Sequence, residues 1–323
     1  MRGPASTKAV TSGLTVNQVG TKKVSFIQPK NLKPLQSGAA RVAIPCMTQP
    51  IEVGGNVIGG TTLSWVVGPA FVESSGQMLT VGQNLQDLGI KFLRAGVTVP
   101  EKAGDNFRGL GVVGLKLLRA TADRFQLQVV TEVLEVRDIP LVAEYADVIE
   151  VCPKNINNVA LLAELAFLEK TIVLHRSPMM TFDEYIGMLP YLEKGGRAKI
   201  VLADNGVVSF DGRLNRMLDL SSLISLKRET GYPVLVDCCA AASDWSFAER
   251  LAIAAIAAGA DGIMAELHLP GGVAEASKKS LVKDELASLM WKSKALKSTL
   301  NALLHGDPQH APIKPSNRAA NEI

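Results

Sequence analysis

Apolar positions along the chain gather into short runs, and the runs recur at regular intervals separated by amphipathic stretches. Those at Leu63–Val67, Phe92–Ala95, Leu127–Thr131, Val148–Val151, Ile172–Leu174, Ile200–Leu202, Val234–Val236 and Gly262–Ala265 have the near-continuous apolar character of parallel strands buried on both faces. The stretches between them carry helix signals. Thr181 with Glu184, and Ser246 with Glu249, fit the S/T-x-x-E capping box, and Gly259 is placed to end the helix that begins near Phe247. Eight strand–helix units in order predict a (β/α)8 TIM barrel. A doubly wound open sheet is the competing topology, but no G-x-G-x-x-G follows the first strand. Upstream, alternation around glycines predicts a short β-hairpin turning at Gly54–Asn56. The organisation expected is therefore an arm (1–40), a hairpin extension (41–62), a barrel (63–304) and a flexible C-terminal tail (305–323).

Composition agrees with this picture. A chain of 323 residues, 47% hydrophobic and 20% charged, suits one large core. The longest apolar stretch, "LAIAAIAAGADGIMAEL", is interrupted by Asp261, so no membrane span and a soluble protein are expected. Four cysteines without a C-x-x-C spacing point to a reducing setting, cytoplasm or organelle stroma or matrix. No apolar segment follows the first arginine, so no secretory signal is expected.

Charge changes the picture at one end. Residues 1–51 hold seven lysines and arginines and no acidic residue, in a chain whose net charge is only +3. The plain reading is a solvated basic arm; the functional ones are an acidic partner or a targeting remnant. Nucleic-acid binding is disfavoured, because the arm lacks the aromatic interleaving that single-strand binders use.

In such a barrel the active face is the set of residues at the carboxyl ends of the strands. Here these are Gly68-Pro69-Ala70, Arg94, Glu132, Cys152-Pro153-Lys154, His175-Arg176, Asp204-Asn205, Asp237 to Ala240, and Glu266-Leu267-His268. Arg94, Lys154 and Arg176 are candidate anion contacts, and Glu132, Asp237, Glu266 and His268 are candidates for proton transfer. A polar network bracing the barrel mouth accounts equally well for Glu132, Asp237 and Glu266.

The segments "GPAFVES", "FLRAGVTVPEKAGDNFRGLGVVGLKLL", "VVTEV", "VAEYADVIEV", "LDLS", "PVLVD" and "AAIAAGADGIMAELH" resemble the type I 3-deoxy-D-arabino-heptulosonate 7-phosphate (DAHP) synthases, in the branch that also contains 3-deoxy-D-manno-octulosonate 8-phosphate synthase. The resemblance runs from about Ile51 to Leu289. It implies a barrel, usually a dimer or tetramer, that joins phosphoenolpyruvate to a phosphorylated sugar aldehyde, in the heptulosonate branch with a divalent metal. Carried over residue by residue, the metal cysteine falls on Ala70, the metal histidine on Ala240 and the metal aspartate near Ala276, leaving Glu266 alone. Cys238 and Cys239 with Glu266 and His268 are a substitute donor set. The sugar-phosphate segment reads Val99-Pro100-Glu101-Lys102; the phosphoenolpyruvate lysine becomes His175, a phosphate arginine becomes Asn205, and the G-A-R motif becomes Cys152-Pro153-Lys154. Proline has no N–H to offer a phosphate, and lysine lacks the guanidinium fork. The expectation is a retained barrel without cofactor or metal, a non-catalytic subunit that works in a homo-oligomer or with a paralogue or larger assembly. A divergent enzyme acting on a related anionic metabolite is the alternative.

Overall fold

The computed structural model describes residues 48–98, 109–211, 216–242, 244–269 and 280–305. The basic arm, Val99–Lys102, Ala276 and residues 306–323 lie outside the described residues. A small antiparallel hairpin comes first, β1 (Ile51–Val53) with β2 (Asn56–Ile58), turning through Gly54 and Gly55, both at positive φ. Eight strands then form a closed parallel barrel: β3 (Ser64–Gly68), β4 (Phe92–Arg94), β5 (Gln128–Glu132), β6 (Val148–Val151), β7 (Thr171–His175), β8 (Lys199–Asp204), β11 (Val234–Asp237) and β12 (Gly262–Glu266). The ring closes where β12 pairs with β3, from Gly262 opposite Ser64 to Glu266 opposite Gly68.

The helices are α1 (Ser75–Asp87), α2 (Gly111–Phe125), α3 (Ile139–Tyr145), α4 (Val159–Leu165), α5 (Phe182–Ile186), α6 (Leu189–Glu193), α7 (Leu220–Thr230), α8 (Cys238–Ala241), α9 (Trp245–Ala257) and α10 (Lys283–His305). A second small hairpin, β9 (Val207–Val208) with β10 (Arg216–Met217), follows β8 and was not foreshadowed by the apolar pattern. Among the described residues no helix is long and apolar enough to cross a membrane.

Alternation along each strand divides the apolar residues into two cores. Val66, Phe92, Val130, Val148, Val173, Val201, Ala203, Leu235 and Met264 fill the barrel interior, while neighbours such as Trp65, Val67, Leu93 and Ile149 face the helices. Ile51, Val53 and Ile58 of the hairpin join the interior set, so the hairpin plugs the amino-terminal end of the barrel. The Ser64 hydroxyl donates to Val57 O at 2.9 Å there, and buried Asp261 accepts from Thr48 Oγ1, Lys227 Nζ and Val234 N–H. That end is sealed, which leaves the carboxyl end as the open face.

The capping box at Thr181 and Glu184 is formed. The one expected at Ser246 and Glu249 is not: α9 starts earlier, capped by Asp244, whose carboxylate accepts from the N–H groups of Ser246 and Phe247. An ionised carboxylate is a strong acceptor for helix-start N–H groups, the Ser246 hydroxyl also donates to it at 2.6 Å, and Glu249 is engaged by Lys292 of α10. Gly259, at φ +100°, ends the helix as expected.

Candidate functional site

Because side chains alternate, the residue two places beyond each inward apolar residue also faces the barrel axis, now at the open end. Val66 leads to Gly68, Phe92 to Arg94, Val130 to Glu132, Val148 to Glu150, Val173 to His175, Ala203 to Asn205, Leu235 to Asp237 and Met264 to Glu266. This ring holds four carboxylates and a single guanidinium. It is an acidic mouth.

On the β4–β6 side the ring holds an ion pair. Arg94 Nε donates to both oxygens of Glu150 at 2.9 Å, with the Glu150 side chain 4% exposed and Arg94 30% exposed. His175 Nε2 lies 3.4 Å from Glu150 Oε1, and His175 Nδ1 lies 3.1 Å from Asn205 Oδ1, whose amide Nδ2 donates to Arg176 O. Burial would raise the Glu150 carboxyl, but Arg94 and His175 outweigh it and hold the group at about 2. Burial would likewise favour neutral Arg94, yet Glu150, Asp237 and Glu132 together raise it above the ordinary arginine value. Glu132 goes the other way: burial, then repulsion from Glu150, pushes its carboxyl up, only partly offset by Arg94. The nearby Cys152 thiol is raised by burial and by the Glu132 charge, which keeps it protonated and a poor nucleophile.

One expected site residue sits elsewhere, and most of the others have partners within the fold. Arg176 is not an anion contact in the mouth. It follows inward-facing His175 and so points outward, where it is 3% exposed and bonded to Met180 O, Asp219 and Ser222, with Asp204 at 3.5 Å. Arg94 is in the mouth as expected but is engaged by Glu150. Asp237 caps the short α8, accepting from Ala240 N–H at 2.8 Å. Glu266 Oε1 accepts from Ser280 Oγ at 2.6 Å, and His268 lies just beyond, half-buried, its N–H bonded to Leu281 O. Lys154 is exposed at the rim.

Glu150 is the residue that sequence reasoning missed. It lies within the apolar run Val148–Val151, and its place two residues after inward Val148 marks it as a buried acid in need of a cation.

The donors of the mouth do not fit the divalent metal that the resemblance implies. Ala70 and Ala240 present methyl groups where donors are needed, and a metal site needs three or four converging N, O or S ligands. Among the described residues no three His, Cys, Asp or Glu side chains converge in this way. The substitute set fails as well: Cys238 Sγ turns to Met264 O at 3.4 Å, while Cys239 Sγ accepts from Glu266 N–H at 3.5 Å, so both thiols lie against the barrel wall.

Comparison with known proteins gives a consistent picture. The model of the DAHP synthetase I family matches residues 45–301. The chain is 35% identical over 218 residues to the phospho-2-dehydro-3-deoxyheptonate aldolase of Thermotoga maritima, covering 68% of this chain and 64% of that protein, so it spans less than two thirds of that relative's length. It is 26% identical over 270 residues to the 2-dehydro-3-deoxyphosphooctonate aldolase of Geobacter sulfurreducens, covering 77% and 98%. The crystal structure of the Thermotoga maritima enzyme (DAHP synthase) matches with a TM-score of 0.74 at 33% identity, covering 78% of this chain and 74% of that one.

Proposed function

The chain belongs to the DAHP synthetase I family, and on that premise we propose that it has given up the family's condensation reaction and serves as a binding, regulatory or structural subunit. One observation carries the reading. The positions that the resemblance assigns to metal and phosphate hold Ala70, Ala240, Pro153 and Asn205, and the inward guanidinium, Arg94, has its Nε bonded to an internal carboxylate.

The energetic argument is cumulative. A charged hydrogen bond contributes ~1.5–3 kcal/mol, so losing several contacts to phosphate removes many orders of magnitude in rate before the metal is considered. The ring of Glu132, Glu150, Asp237 and Glu266 adds repulsion toward a phosphorylated substrate. The complete barrel is what such a subunit would keep, and association with itself, a paralogue or a larger assembly is the role assigned to it.

A second reading rests on Glu132. A carboxyl raised by burial and set beside other acids at a barrel mouth is equipped for proton transfer, so a divergent enzyme of the same family, acting on a different metabolite, is the alternative.

Calorimetric titration of the chain with phosphoenolpyruvate, with and without Mn2+, tests the first reading. No saturable binding is expected. Saturable micromolar binding that Arg94→Met abolishes would overturn it.

A further inference from the structure

On the outer wall of the barrel, away from the mouth, α10 and the start of β3 enclose a groove of about 520 Å³. We propose that it binds a small amphipathic carboxylate, a single anionic head on an apolar body.

Position separates this groove from the acidic ring. Leu63 and Trp65 lie at the amino-terminal end of β3, opposite the open face, and Trp65 points outward because its neighbour Val66 fills the barrel interior. The volume falls within the range of ~300–1,000 Å³ that small-molecule sites occupy.

The lining combines apolar and cationic side chains, with neutral Ser298 and Asn301 completing it. Leu63, Trp65 and Met290 make an apolar floor, and Trp291 stands over it with 72% of its surface exposed. An indole left in solvent at the lip of an apolar groove is surface that a ligand would cover. Lys294 and Lys297 supply the cationic side chains. They follow Met290 by four and seven residues and so share its face of α10.

Charge selects the sign of the ligand. Lys283 pairs with Asp87 and Lys292 with Glu249, but among the described residues neither Lys294 nor Lys297 has a carboxylate partner and no acidic side chain lines the groove. An apolar cation would meet two ammonium groups at the entrance. Lysine presents a point charge without arginine's fork, which suits one anionic head and does not require a planar bidentate one.

Octanoate, octylammonium and octanol share one apolar chain and differ in head charge, so they form the probe set. Titrated into the full chain and followed by calorimetry and tryptophan fluorescence, octanoate is expected to bind saturably and about fivefold or more tightly than octylammonium, the preference that two partly exposed charge contacts provide. Lys294→Ala/Lys297→Ala should erase the preference while leaving octanol binding in place. Trp291→Ala should weaken octanoate and octanol alike. All three substituted side chains are on the surface of α10, and far-ultraviolet circular dichroism checks that each variant folds. Equal affinity for octylammonium, absence of saturable octanoate binding, or an unchanged preference in the folded double-lysine variant would each overturn the proposal.

Discussion

Arg94 and Glu150, on strands separated by β5, are joined by two hydrogen bonds of 2.9 Å from the arginine Nε, and this contact spans the β4–β6 side of the barrel mouth. An anionic ligand approaching Arg94 meets a carboxylate already bonded to its Nε. The pair ties the ends of β4 and β6 across β5.

Removing one partner of a buried pair leaves the other charge uncompensated, which typically costs ~3–5 kcal/mol. Glu150→Gln should fall at or below the lower end of that range, because Arg94 is partly exposed and keeps Glu132 and Asp237 nearby. Arg94→Met/Glu150→Met should be closer to wild type than either single variant. Urea unfolding of wild type, Arg94→Met, Glu150→Met and the double variant as a double-mutant cycle measures the coupling, and additive effects would contradict the assigned pairing.

The two glutamates give opposite pH dependences. Glu150 has a depressed pKa in the folded state, so its contribution to stability is complete above the unfolded value of ~4.3 and is lost as pH falls toward about 2. Glu132 is raised by burial, so above the unfolded value the folded state bears the cost of ionising it. Glu132→Gln should therefore melt above wild type at pH 7, and the gap should close as pH drops below the ordinary carboxylate range. Thermal melts from pH 3 to 8 check both signs.

Gly68 tests the packing under the mouth. A Cβ there would lie 1.9 Å from the backbone oxygen of Arg94, so Gly68→Ala must push β3 and β4 apart, at a cost of ~1–3 kcal/mol or more. Gly76→Ala in α1 is the control: its Cβ meets nothing closer than Ser74 Oγ at 4.0 Å, and a helical alanine should leave stability unchanged or raise it by ~0.5–1 kcal/mol. The two melting temperatures should move apart.

Restoring donors tests the metal argument. Ala70→Cys/Ala240→His, together with native Glu266, returns three ligands to the strand ends, and that variant should hold about one Zn2+ per chain in elemental analysis. The native chain should hold none in stoichiometric amount. One tightly held ion in the native protein, lost on Glu266→Gln, would show that other donors assemble a site.

Much of this was legible in the sequence because strand periodicity is a local property. Val148–Val151 and Val234–Val236 announced their strands within a residue, and the eightfold rhythm then determined which residues sit at the open end. Local pattern does not give pairing across the barrel. Glu150 was hidden inside an apolar run, and Arg176 was placed in the mouth because it ends a strand, when alternation from His175 sends it outward to Asp219 and Ser222. Asp244 starts α9 two residues before the expected cap, and the Ser246 hydroxyl donates to its carboxylate, a contact the capping-box pattern does not encode. The β9–β10 hairpin, with only two residues per strand, is too short to leave a periodic trace.

The most direct measurement is turnover. Incubating the purified chain with phosphoenolpyruvate and erythrose 4-phosphate, with Mn2+ or Zn2+ supplied, and assaying heptulosonate phosphate and released inorganic phosphate tests whether the family's reaction has been abandoned. The account predicts no product above a protein-free control with either metal. Metal-dependent product at ordinary enzyme rates, ~1 s⁻¹ or above, would contradict it and show that the mouth containing Arg94 and Glu150 is still a working active site.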